Sequence, residues 1–248
     1  MIPVTLLTGF LGCGKTTLLN ALLQRPELAE TAVLINEFGE IGLDHLLVEQ
    51  VAEDTVLLQS GCLCCTVRGD FARALESVAQ RVEAGQKIRR VVIETTGLAD
   101  PAPIIATLMG DPFIARSFRL DGVVTLVDAV HGMAQLDQHA EALKQAAVAD
   151  RIVLTKTDLA PDTGALRARL AALNPGAPVS EAAHGAIEPE KILDCGLFTA
   201  ANKLPDVARW LNEEYVLSRP IDPEKDADAI REALEQQPAP TRRRDHLA

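Results

Sequence analysis

Cysteine is scarce in this 248-residue sequence, with five in all, and several other features that would send a protein toward common destinations are missing too. An odd count, three of them crowded into Cys62, Cys64 and Cys65, does not make a disulfide framework. The expected setting is a reduced, cytoplasmic one, where grouped thiols mean metal or redox chemistry. Positive charge is also short: the formal net charge is −11. That field repels phosphate backbones and anionic membrane surfaces, so nucleic acid and membrane are not expected partners. The one basic run, Arg242–Arg243–Arg244, lies in a proline-containing tail and reads as a solvated end. No uninterrupted apolar run reaches the roughly eighteen residues of a membrane span. The opening MIPVTLLTGFLG lacks the charged start of a secretory signal. No internal repeat is present.

What remains is a chain with 48% hydrophobic residues, ordinary for a folded protein and enough for a large core. Short apolar runs recur at 4–9, 31–36, 55–60, 90–95, 122–128 and 151–156, and a last strand is expected within 177–185. They are apolar at successive positions, not alternating ones, which predicts strands covered on both faces of a parallel sheet. Helical patterns follow, clearest at 15–24, 70–85 and 135–148, with further candidates at 205–214 and 224–236. Strand–helix alternation of this kind predicts an α/β fold with right-handed crossovers. The expected division is a main domain over residues 1–200 and a helical appendage with a polar tail over 201–248.

The first strand runs into GFLGCGKTT, residues 9–17, which fits G-x-x-x-x-G-K-[ST] with Gly9, Gly14, Lys15 and Thr16 in the fixed places. Glycines let successive backbone N–H groups turn toward phosphate oxygens, and the following helix adds its positive end. Lysine reaches the β and γ phosphates, and the threonine hydroxyl binds Mg²⁺. The motif sits between a buried-strand pattern and a helix, the context that separates it from a chance glycine-rich turn. The run RVVIETTG adds Glu94 at a strand end and Gly97 three residues on, like the D-x-x-G turn of GTPases with Glu for Asp. Glu94 would hold Mg²⁺ through water, and the Gly97 N–H would sense the γ-phosphate. Lys15, Thr16 and Glu94 are the candidate catalytic residues. Glu37 and Glu94 are both candidates for orienting the attacking water.

RIVLTKTDLA sets Thr155, Lys156, Thr157 and Asp158 at the end of a late strand, like the [NT]-K-x-D motif of GTPases. A carboxylate at Asp158 accepts from guanine N1–H and the 2-amino group, whereas adenine offers it an acceptor and no 2-amino donor. The Lys156 stem would pack on the flat base. GTP is therefore expected over ATP.

The three clustered cysteines lie on a strand-to-helix turn. Three thiolates are soft donors suited to Zn²⁺, Co²⁺ or Cu⁺, with Zn²⁺ and Co²⁺ nearly level and zinc favoured by availability. No second cysteine pair completes a closed structural site, so an exchangeable one is expected. Small buried hydrophobes and a thiol-redox pair are the bland alternatives. INEFGE at 35–40 offers Glu37 and Glu40 as a source of the fourth ligand, in the place of a GTPase switch. A switch carboxylate joined to the thiolates would couple metal affinity to nucleotide state.

Taken in order, GFLGCGKTTLLN, INEFGE, GCLCC, IETTGLADP and RIVLTKTDL resemble the CobW-type metallochaperone GTPases. The resemblance covers the chain to about residue 200 and implies a P-loop NTPase three-layer α/β/α sandwich. It implies a slow GTPase that binds zinc or cobalt and delivers it to a client metalloprotein; a homodimer is left open. On the matching positions, Gly12, Cys13, Gly14, Lys15, Thr16 and Thr17 would hold the phosphates, with Gly97 beside them. Lys156 and Asp158 would hold the guanine, and Cys62, Cys64 and Cys65 the metal. Family members continue into a smaller C-terminal α/β domain, often after a histidine-rich stretch. The expectation here is a chain without that domain, whose five scattered histidines are ordinary surface or core residues. Two rival readings stand beside this one: an ATP-dependent P-loop kinase, and a metal-buffering or thiol-redox module with regulatory nucleotide binding.

Overall fold

The computed structural model describes residues 1–36, 56–59 and 67–196. Over these the chain forms β1 (Ile2–Gly9), α1 (Lys15–Leu23), β2 (Thr31–Asn36), β3 (Val56–Gln59), α2 (Val67–Glu83) and β4 (Arg90–Thr95). It continues through α3 (Ala102–Gly110), the single turn α4 (Ile114–Ser117), β5 (Phe118–Asp128), α5 (Gly132–Gln138), α6 (Ala140–Val148), β6 (Arg151–Thr155), α7 (Gly164–Leu173) and β7 (Val179–Ala182). The strands make one seven-stranded sheet in the order β3-β2-β4-β1-β5-β6-β7, and every pairing is parallel. Glu37, Cys62, Cys64, Cys65 and residues 201–248, with both helix candidates there, lie outside the described residues. Among the described residues, no helix is long and apolar enough to cross a membrane.

The apolar runs are buried on both faces for a simple reason: neighbouring residues on a strand point to opposite sides. Val4 and Leu6 of β1, Ala32 and Leu34 of β2, and Val91 and Ile93 of β4 pack with Leu75, Ile105 and Val148 of the helices on one face. Leu7, Val33, Ile35 and Val92 pack with Leu18, Leu19 and Leu22 of α1 on the other. Toward the β6 edge, Ile152 and Leu154 meet Leu136, Ala146, Leu166 and Leu170. The expected three-layer α/β/α sandwich is thus present, with β1 at its centre.

The helix expected at 70–85 spans Val67–Glu83, and larger departures from the sequence expectation lie further along the chain. The strand expected at 122–128 begins at Phe118, because the pairing of β1 with β5 slips between Val4 and Thr5 and absorbs Asp121 as an extra residue. Polar Arg119 and Asp121 hid those positions, although Asp–Gly inside an apolar run is a bulge signal. The helix expected at 135–148 is two helices, broken at His139 (φ −129°, ψ 117°). The helices α3 and α7 were not singled out from the sequence; Pro101 begins the first of them.

Candidate functional site

The described residues expected to touch nucleotide gather where the central strands end, the edge at which doubly wound sheets bind ligands. After β1 the chain turns through Phe10–Cys13, with Cys13 N–H donating to the Phe10 carbonyl at 3.2 Å. Gly12 (φ 71°) and Gly14 (φ 91°) take left-handed backbone there, which a side chain would resist. Lys15 opens α1 and is almost buried, at 9% exposure. An ammonium so placed needs acceptors. It finds them in the carbonyls of Gly9 at 2.9 Å and Phe10 at 3.3 Å. The Thr16 hydroxyl donates to Glu94 Oε1 at 2.8 Å, bridging α1 to the end of β4.

These residues enclose a cavity of about 300 Å³, lined by Gly12, Gly14, Lys15, Thr16, Thr17, Glu94 and Gly97 among others. Gly97 is buried against the turn after β1. A Cβ on it would come within 2.5 Å of Leu11 N, so only glycine lets the loop after β4 pack this closely on the phosphate turn. That loop is self-braced: Leu98 N–H donates to Thr96 Oγ1 at 3.2 Å and Ala102 N–H to Asp100 Oδ1 at 2.9 Å.

A second cavity of about 180 Å³ is lined by Cys13, Gly14, Thr17, Lys156, Asp158, His184 and Gly185 among others. Gly14 and Thr17 line both cavities, so the two are adjoining compartments of one cleft. Lys156 is held in left-handed backbone (φ 57°) and its Nζ reaches Asp128 Oδ2 at 2.7 Å. The Thr155 hydroxyl donates to the Cys13 carbonyl at 2.8 Å, tying the end of β6 to the phosphate turn. Burial works against the charge on Asp128, but donors outweigh it: Lys156, His131 and the N–H groups of Val130 and His131 hold its carboxyl below the usual range. Cys13 is fully buried, and burial pushes its thiol up, so it contributes backbone and packing to the site and no thiolate.

Several of these residues were not anticipated. Asp128 ends β5 as Glu94 ends β4, and an acidic residue closing a buried strand was its signal. The tail of β7 (Ala182, His184 and Gly185) closes the second cavity. The three described histidines, expected to be ordinary, all lie around the cleft: His131 on Asp128, His139 stacked on Phe10 with ring centroids 4.5 Å apart, and His184 in the cavity wall. Among the described residues no group of three or more His, Cys, Asp or Glu could hold a metal ion.

A family profile described as CobW/HypB/UreG, nucleotide-binding domain, matches residues 3–181. The chain belongs to this family. Among CobW/HypB/UreG relatives, it is 44% identical over 188 residues to the zinc chaperone YjiA of Escherichia coli (strain K12), covering 75% of this chain and 59% of that one. It is 35% identical over 211 residues to zinc-regulated GTPase metalloprotein activator 1 of Schizosaccharomyces pombe, covering 81% of this chain and 51% of that one. The solved structure of Zn(II)-bound YjiA GTPase from E. coli superimposes with a TM-score of 0.64 at 36% identity, over 80% of this chain and 63% of that one. The chain therefore spans between about half and two thirds of the length of these relatives.

Proposed function

We propose that this chain is the GTP-binding and GTP-hydrolysing part of a metallochaperone that carries zinc, with cobalt the next candidate, to a client metalloprotein. One observation carries the nucleotide half. Two adjoining cavities share Gly14 and Thr17, one with the lysine, hydroxyl and backbone of a phosphate site, the other with the Lys156–Asp158 pair suited to guanine. In this reading Lys15 leaves the carbonyls of Gly9 and Phe10 for the β and γ phosphates. It then neutralises charge on the transferring phosphoryl group together with the N–H groups of Gly12, Cys13 and Gly14.

The Thr16 hydroxyl and the Glu94 carboxylate, 2.8 Å apart in the phosphate cavity, are hard oxygen donors of the kind Mg²⁺ prefers. They would hold the ion, which when bound neutralises phosphate charge. Glu94 and Glu37 are the candidates for orienting the attacking water. The metal half rests on sequence: Cys62, Cys64 and Cys65 supply thiolates, and Glu37 joins them from the segment after β2. The zinc-related names of the relatives favour zinc. In this reading residues 1–200 would be the GTPase domain, and a second copy of the chain is a candidate partner beside the client.

The test is a nucleotide competition with purified protein and Mg²⁺, followed by turnover of GTP with and without Zn²⁺. GTP and GDP displacing a labelled guanine nucleotide while ATP does not, with measurable phosphate release, is the expected result. A preference for ATP overturns the guanine assignment in favour of a kinase-like protein. Tight GTP binding with no phosphate release under any metal condition overturns the enzymatic part.

A further inference from the structure

The helix α6 touches both walls of the phosphate cavity without lining it. At its start, the His139 ring stacks on Phe10 of the phosphate turn. Two residues near its middle reach the loop after β4. Lys144 Nζ meets Asp100 Oδ2 at 2.6 Å. Gln145, fully buried, donates Nε2 to the carbonyls of Gly97 at 3.2 Å and Ala99 at 3.0 Å. Its Oε1 is buried with no hydrogen-bond partner among the described residues. Two carbonyl acceptors dictate which way the amide faces, and the price is an unsatisfied oxygen in a place where buried polar atoms are nearly always paired. The helix itself is anchored: Asn174 Nδ2 donates to the carbonyls of Ala146, Ala147 and Ala149 at 2.8–3.0 Å.

A leucine of similar size would fill the Gln145 position but would take the donor away from the carbonyls of Gly97 and Ala99, so the amide is there to hold that loop. The amide reaches two carbonyls of one loop at once and so fixes the loop's path. Gly97 has its carbonyl fixed from behind by Gln145 and its Cα against Leu11, so its freedom to turn is small. We propose that Gln145 is a positioning residue for the γ-phosphate: it holds Gly97 in the wall of the phosphate cavity where the third phosphate would lie. This rests on the reading that the cavity binds GTP. It adds α6 as the body against which the loop is set, with Lys144–Asp100 as a weaker, solvent-facing second hold.

The experiment compares wild type, Gln145→Leu, Gln145→Glu and Lys144→Ala. Each is titrated with GDP and with a non-hydrolysable GTP analogue in Mg²⁺, and its kcat and KM for GTP are measured alongside its melting temperature. Gln145→Leu and Gln145→Glu are expected to keep GDP affinity within about twofold while analogue affinity and kcat fall about tenfold, the scale of one or two lost buried hydrogen bonds. Lys144→Ala, which leaves the buried contacts in place, moves the analogue-to-GDP ratio the same way by about threefold. An unchanged ratio in folded Gln145 variants overturns the proposal, as does an equal loss of both affinities, which marks a merely structural residue. Should the Gln145 variants not fold, an unchanged ratio in Lys144→Ala overturns it. A wild type that binds both nucleotides but turns over no GTP sinks the hydrolysis reading, and the binding ratio still judges Gln145. A wild type that binds neither sinks both.

Discussion

Two buried acidic groups at opposite ends of the central strands teach how this fold separates structure from function. Asp121, toward the N-terminal end of β5, is fully buried and already complete. Its carboxylate accepts from Arg90 at 3.0 Å, Arg119 at 3.4 Å, Thr5 at 3.4 Å and the Asp194 N–H at 3.0 Å. Arg90 in turn bridges to the Asp194 side chain, so the cluster pins the last described segment to the sheet. Glu94, at the C-terminal end of β4, is as deeply set, at 5% exposure, but it faces a cavity and takes the Thr16 hydroxyl. One end of the sheet uses its carboxylate to hold the chain; the other sets its carboxylate in the wall of a cavity.

The sharpest way to break this contrast is at the open end. Glu94→Gln and Lys15→Ala are each expected to lower GTP turnover by roughly 10²–10³-fold, the effect of removing one preorganised charge-stabilising group. Thermal stability should stay close to that of wild type. A large fall in melting temperature with little loss of kcat would mean that Glu94 is a structural group like Asp121. At the closed end, Asp121→Ala leaves two arginines without their buried partner. It should destabilise the fold by about 3–5 kcal/mol in denaturant titrations, with guanine-nucleotide affinity of the folded protein unchanged.

Asp158→Asn probes the second cavity. Replacing a charged acceptor by an amide should weaken GTP and GDP alike by roughly tenfold to a hundredfold, measured by competition, while leaving the fold intact. The smallest expected effect concerns Asp128. Its folded-state carboxyl lies below the ordinary value near about 3.9, so its contribution to stability is present above that pH. The contribution is lost as pH falls through the folded value. Asp128→Asn should therefore flatten the acid side of the stability curve; an unchanged curve would show that the Lys156 pairing adds nothing in solution.

Much of the fold was legible because burial on both faces leaves a plain mark: consecutive apolar residues closed by glycine or an acidic residue. The phosphate turn was legible because its chemistry is local, nine residues from Gly9 to Thr17. What escaped notice depends on distant partners. Nothing local at His139 announces a break between α5 and α6; its ring finds Phe10 from the other side of the sequence. Gln145 reads as one more polar helix residue until the fold brings it to Gly97, 48 positions away. Asp121 was hidden by its own charge inside an apolar strand, and only its donors explain why the chain tolerates it there.

The cysteine turn is tested by titration. Cys64→Ser should weaken zinc binding while leaving GTP affinity within about twofold, since the described lining of the nucleotide cavities comes from other segments. The most direct measurement of the whole account is a Zn²⁺ competition titration of the intact chain, in GDP and then in a non-hydrolysable GTP analogue with Mg²⁺. The account predicts two different zinc affinities, because the proposed Glu37 ligand would join the thiolates in only one nucleotide state. One zinc affinity, the same with either nucleotide, would contradict it.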